Sequence, residues 1–79
     1  MEPITVKLDS TLSYYTKKKS VTIDSEQLGT NPTVGTIVEY LSVPKGMIGY
    51  IVSESKLLTT QDTVTPPCEL KLYGMYDGG

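Results

Sequence analysis

From Ile4 to Asp9 apolar and polar side chains alternate. Ile4, Val6 and Leu8 interleave with Thr5, Lys7 and Asp9, the period-two pattern of a strand with one apolar face. Ser20 to Ile23 alternates again through Val21 and Ile23 and predicts a second strand, paired with the first as a hairpin. The link from Ser10 to Lys19 reads as a turn region with Leu12 buried in it. It contains no Asn-Gly or Asp-Gly, so it is not a two-residue turn. Leu28 to Pro32 is loop by composition. Val34, Ile37, Val38 and Leu41 then fall on one helix face, with Thr33 placed as N-cap. Gly35 in that helix is unfavourable by about 1 kcal/mol against Ala, which reads as close packing against the sheet. Pro44 and Gly46 end the helix after about two to three turns.

The second half of the chain reads as three further strands. Ile48 to Val52 is apolar almost throughout, which predicts an inner strand covered on both faces or nearly so. Ser53-Glu54-Ser55 is a turn, and Lys56 to Leu58 a short strand. Thr59 to Val64 is polar with one apolar anchor, and Pro66-Pro67 sets up a last strand, Cys68 to Tyr73. There Leu70 and Leu72 share one face, and Lys71 and Tyr73 the other. Gly49 inside a strand marks a close approach of another element. This order predicts an α+β fold, one mixed four- to five-stranded sheet packed against one main helix. The first and last strands are the most strongly patterned, so they are placed side by side in the centre, parallel. Residues 1–73 form the domain, and 74–79 a flexible tail ending in Gly78-Gly79.

Length and charge narrow the function classes. Seventy-nine residues make one domain with a small core and little room for a catalytic cavity. The net charge of −2, with seven Lys and no Arg, is not the balance of a nucleic-acid binder. The absence of His removes the commonest general base. The single Cys allows no internal disulfide or Cys-cluster metal site and fits a reducing, cytoplasmic compartment. No signal peptide is visible in Met1-Glu2-Pro3, and no stretch nears the roughly 20 apolar residues of a membrane span. The expectation is a monomer with no nucleic-acid or membrane partner.

Candidate chemistry concentrates at the C-terminus. Two glycines present backbone without side chains, able to enter a passage too narrow for a Cβ. They end in an unhindered carboxylate that another enzyme can activate. Six extended residues from Gly74 reach roughly 20 Å. The alternative is a loose chain end. Tyr73, Met75 and Tyr76 are candidates for partner contact, since aromatic and Met side chains are enriched at interfaces; alternatively Tyr73 or Met75 closes the core. Asp77 suits a basic entrance or merely solubilises the tail. Lys17-Lys18-Lys19 reads as a solvated tip or as a docking patch for an acidic partner. Cys68 reads as a small buried hydrophobe, with a sulfur-relay thiol as the alternative. Glu54 and Glu69 read as solvated surface.

The same order of elements, with its Gly-Gly end, resembles the β-grasp, ubiquitin-like sulfur carriers: the molybdopterin synthase small subunit (MoaD) and the thiamine sulfur carrier (ThiS). Four segments carry the resemblance: LSYYTKKKSVTI (12–23), PTVGTIVEYLSVPKG (32–46), IGYIVSESKLL (48–58) and CELKLYGMYDGG (68–79). Thr33-Val34-Gly35 is similar to the family's helix start. Three positions depart from the pattern: Ser53-Glu54-Ser55 replaces an Asn-Gly turn, Pro66-Pro67 an Asp-Gly-Asp turn, and Gly74 a Pro before the tail, which implies a looser tail. The resemblance implies a carrier and not an enzyme. An adenylating, ubiquitin-activating-type partner would use ATP to join Gly79 to AMP. A sulfur donor would displace AMP, leaving a thiocarboxylate, and a sulfur-acceptor synthase subunit would receive the sulfur. Gly78 would let the tail thread. This chain would bind no cofactor or metal itself. Length favours the molybdopterin type over the shorter thiamine type. The other reading is a protein modifier, or a non-covalent binding module, of the same fold.

Overall fold

The two strongly patterned strands lie side by side in the computed structural model, which describes residues 2–75, the Lys45 side chain excepted. They are β1 (Pro3–Leu8) and β5 (Cys68–Gly74), parallel, with Ile4 opposite Cys68 and Leu8 opposite Leu72. On the outer side of β1 lies β2 (Ser20–Asp24), antiparallel. Beyond β5 come β3 (Ile48–Ser53) and β4 (Lys56–Leu58), also antiparallel. The sheet order is β2-β1-β5-β3-β4. Because side chains alternate across a pleated strand, one face collects Ile4, Val6, Leu8, Ile23, Ile48, Ile51, Leu70 and Leu72, all buried. Fully burying each such side chain contributes roughly 1.5–3 kcal/mol. Lys7, Glu69, Lys71, Tyr50 and Tyr73 stand exposed on the opposite face.

Two short α-helices, not one, cover the apolar face. The second, α2 (Val34–Tyr40), is the expected helix. Thr33 Oγ1 accepts from the Thr36 amide at 3.1 Å, and Val34, Ile37 and Val38 are buried. Leu41 caps its C-terminus half-buried. The close approach at Gly35 is to a loop and not to the sheet: a Cβ there would lie 3.1 Å from the Thr60 carbonyl. That carbonyl accepts from Gly35 N–H at 2.9 Å, and the Asp62 carbonyl from Val34 N–H at 2.9 Å. The polar segment anchored by Val64 thus satisfies two of the helix's otherwise orphan donors.

The first helix, α1 (Ser10–Thr16), takes up seven of the ten residues of the expected turn region, Ser10 to Lys19. Asp9 caps it, and Lys17, at φ 66°, closes it in the left-handed conformation. Leu12 is its one buried residue. With Tyr14 and Tyr15 exposed, the segment has no 3.6-residue apolar repeat to betray a helix.

β3 also differs from expectation. It is flanked by β5 and β4, yet Tyr50 is 61% exposed, so it is covered on one face only. Both helices lie on the same side of the sheet, and what covers Tyr50 is the edge of the Tyr73 ring, with centroids 5.9 Å apart. The β3–β4 turn keeps a two-residue hairpin without Asn-Gly. Ser53 pairs with Lys56, and Glu54 and Ser55 have φ of 52° and 67°. Positive φ at both central positions is the mirror-image turn that favours Asn-Gly. Replacing Glu54→Asn together with Ser55→Gly therefore raises stability by about 1 kcal/mol, read as a higher urea midpoint.

Candidate functional site

β5 is the middle strand of the sheet, and Gly74 and Met75 at its end are held from both sides. β1 ends at Leu8, where the chain turns into α1. The Asp9 amide still donates to the Leu72 carbonyl at 3.1 Å, continuing the parallel ladder. In such a ladder the Asp9 carbonyl would next accept from Gly74 N–H. That carbonyl is instead taken at 2.7 Å by the Ser13 amide, the opening bond of α1. The Asp9 side chain fills the gap: Oδ2 accepts from Gly74 N–H at 2.8 Å, while Oδ1 accepts from Leu12 N–H at 2.9 Å. One carboxylate both caps the helix and supplies the missing rung of the sheet.

On the other side stands β3. Ile48 pairs with Gly74, and a register shift follows between Ile48 and Tyr50. A Cβ on the intervening Gly49 would lie 2.9 Å from the Gly74 carbonyl oxygen. The Met75 amide donates to the Met47 carbonyl at 2.9 Å. Gly74 itself is buried, and a Cβ there would lie 2.8 Å from Thr11 Cβ and 2.9 Å from Thr11 Cγ2. Two glycines thus let α1, β5 and β3 converge where the chain exits.

This corrects two expectations. Gly74 belongs to β5, so the strand runs one residue past its expected end at Tyr73. Nor does it loosen the exit; it is the residue small enough to be clamped there. Asp9 escaped sequence reasoning, which treated it as a polar position of the first strand. The available signal was an Asp at the end of an alternating run, three residues before a buried Leu, which is an N-cap placement.

Of the other residues singled out, Tyr73 lies on the open face beside Tyr50, and Met75 is 57% exposed. Neither closes the core. Tyr76, Asp77, Gly78 and Gly79 lie outside the described residues. Lys17, Lys18 and Lys19 are exposed, with the Lys17 ammonium 5.9 Å from the Tyr14 ring centre. Glu69 pairs with Lys7 at 3.1 Å on the open face, a half-exposed contact worth at most about 1 kcal/mol. Cys68 is half-buried; burial first, and the Glu54 charge second, push its thiol pKa up. A raised thiol pKa disfavours the nucleophilic thiolate. Among the described residues, no group of three metal-type ligands and no buried charged side chain occurs. No described helix is long and apolar enough to cross a membrane.

The chain matches no protein-family model and no curated protein. Solved structures do match. The crystal structure of SAMP1 from Haloferax volcanii has a TM-score of 0.76 at 16% identity, over 98% of this chain and 99% of that one. A second crystal structure, of H. volcanii small archaeal modifier protein 1, has a TM-score of 0.71 at 13% identity, over 92% and 97%. A Pyrococcus furiosus protein described as molybdopterin converting factor, subunit 1, has a TM-score of 0.74 at 9% identity, over 94% and 98%. Identities this low carry the fold and nothing finer. With its mixed five-stranded sheet, its helices on one face and its near-complete overlap with these three structures, the chain has the β-grasp, ubiquitin-like fold.

Proposed function

We propose that the chain is a sulfur carrier whose Gly79 carboxylate is charged by one partner and unloaded by another. The observation that carries this reading is the clamp on Gly74 and Met75 at the end of β5, five and four residues before Gly79. A chain anchored at Gly74 and Met75 and ending in two residues without side chains suits delivery into a narrow active site. Carboxylate oxygen attacks the α-phosphorus of ATP, releasing pyrophosphate and forming a mixed anhydride with AMP. Hydrosulfide then attacks the acyl carbon; AMP leaves, a proton is lost, and a thiocarboxylate remains. ATP and the pocket belong to the adenylating partner, so this chain acts as a carrier and not an enzyme. A sulfur-acceptor synthase subunit then takes the sulfur. Gly79 bears the acyl group, Gly78 lets the tail thread, and Tyr73, Met75, Tyr76 and Asp77 meet the partners. The exposure of Tyr73 and Met75 beside the exit supports that role. A lone, weakly acidic thiol suits a cytoplasmic setting.

Likeness to a protein described as a molybdopterin converting factor subunit supports the molybdopterin-type carrier over the thiamine type. Likeness to SAMP1, a small archaeal modifier protein, favours a second reading, in which the same adenylate acylates a lysine. Intact mass of the chain ending at Gly79 separates them after incubation with ATP, an adenylating enzyme and sulfide. Sulfur in place of one oxygen is the expected result. Lysine conjugates in place of that exchange would establish the modifier. An unchanged Gly79 would leave a non-covalent binding module.

A further inference from the structure

We infer that Asp9 is a positioning residue for the acyl tail: its carboxylate, clamped to Gly74 N–H, sets the direction and reach of the residues leading to Gly79. The inference rests on the carrier reading and adds to it a residue 65 positions from Gly74 in sequence.

Three observations support it. The Asp9–Gly74 bond is short, at 2.8 Å, and its acceptor is a carboxylate; such charge-assisted bonds are about twice as strong as neutral ones. The carboxylate is fixed by a second bond, since its other oxygen caps α1 at Leu12 N–H. The next amide, Met75, is held from the opposite side by the Met47 carbonyl. Consecutive amides anchored to different neighbours fix the position and orientation of the backbone at Gly74 and Met75. Beyond Met75 four residues remain, with an extended reach of about 13 Å. If Gly74 were freed and Met75 with it, six residues would swing over about 20 Å. A partner's active site would then capture Gly79 from a larger volume and at a greater entropic cost.

Side-chain chemistry allows the clamp to be removed while the helix is kept. Ser caps a helix nearly as well as Asp, but its hydroxyl is too short to reach Gly74 as well. Asn offers one carbonyl oxygen for two amides and turns an NH₂ toward the other donor. The wild-type chain, Asp9→Ser and Asp9→Asn are therefore compared by amide hydrogen exchange and by adenylation kinetics with the charging enzyme, as ATP–pyrophosphate exchange. In both variants Gly74 exchange speeds up about ten-fold or more, the worth of a bond to a charged group, while Leu70 and Leu72 stay protected. The KM for this chain rises about three- to ten-fold with kcat nearly unchanged. Unchanged Gly74 exchange in both variants would overturn the clamp. Faster Gly74 exchange with unchanged KM would overturn the positioning role and leave Asp9 a structural cap. Uniformly faster exchange, Leu70 and Leu72 included, would also overturn it, since the effect would then be global destabilisation. If the wild-type chain is not adenylated at all, the carrier reading falls and the positioning role with it, whatever Gly74 exchange shows.

Discussion

One residue added after Gly79 abolishes charging of the chain. In the proposed reaction the terminal carboxylate is the group activated, and an appended Ala carries it roughly 3.5 Å further along the chain. It also places a Cβ beside the reacting carbon, in a passage suited to bare backbone. Misplacement of reacting groups by about 1 Å already costs on the order of a hundred-fold in rate. A displacement several times larger leaves no measurable turnover. The clamp is untouched, because the added residue lies five positions beyond Met75, the last amide anchored among the described residues. The check is ATP–pyrophosphate exchange with the adenylating enzyme, alongside an unchanged urea midpoint. Exchange at the wild-type rate would show that Gly79 is not the acyl residue, and the carrier and modifier readings would fall together.

Gly49→Val has the largest effect on stability, a loss of about 3 kcal/mol. A Cβ at this position would lie 2.9 Å from the Gly74 carbonyl oxygen, 3.2 Å from its carbonyl carbon and 3.3 Å from Met75 Cα. All three are backbone atoms, so no rotamer change relieves the clash. β3 and β5 must separate at the Ile48–Gly74 pair, and the Met47–Met75 bond is strained with them. For a domain of this size, total stability is on the order of 4–12 kcal/mol, so the loss is a large share of it. The measurement is the urea midpoint at constant m-value. Gly46→Ala is the matched control: nothing lies within 4 Å of its would-be Cβ, and its midpoint moves little. A Gly49→Val midpoint equal to that of Gly46→Ala would show that β3 does not press on β5 at the exit.

Patterning carried far wherever a segment has one buried face. Ile4, Val6 and Leu8, and again Leu70 and Leu72, alternate because the sheet has one apolar side, and all five are buried. Thr33 was legible as a cap, and the bond to Thr36 N–H bears it out. Gly49 was legible as a point of close approach. Patterning failed at α1, where one buried residue, Leu12, leaves no repeat. It also failed at Tyr50, where an apolar run reads the same whether one face is covered or two. At the chain end it was the resemblance that implied a looser Gly74, in place of the family's Pro, because a glycine alone cannot show whether it is free or crowded.

By itself, then, the linear order of side chains determined the strands, the inward face of the alternating ones and the Gly78-Gly79 end. These are local properties, set by alternation and by residue type. Only the tertiary structure decided that Asp9 meets Gly74, that Gly49 lies against the Gly74 carbonyl and that Met47 holds Met75. Such contacts join residues far apart in the chain. Their partners are chosen by the register of β5 against β1 and β3, which no local run of residues encodes.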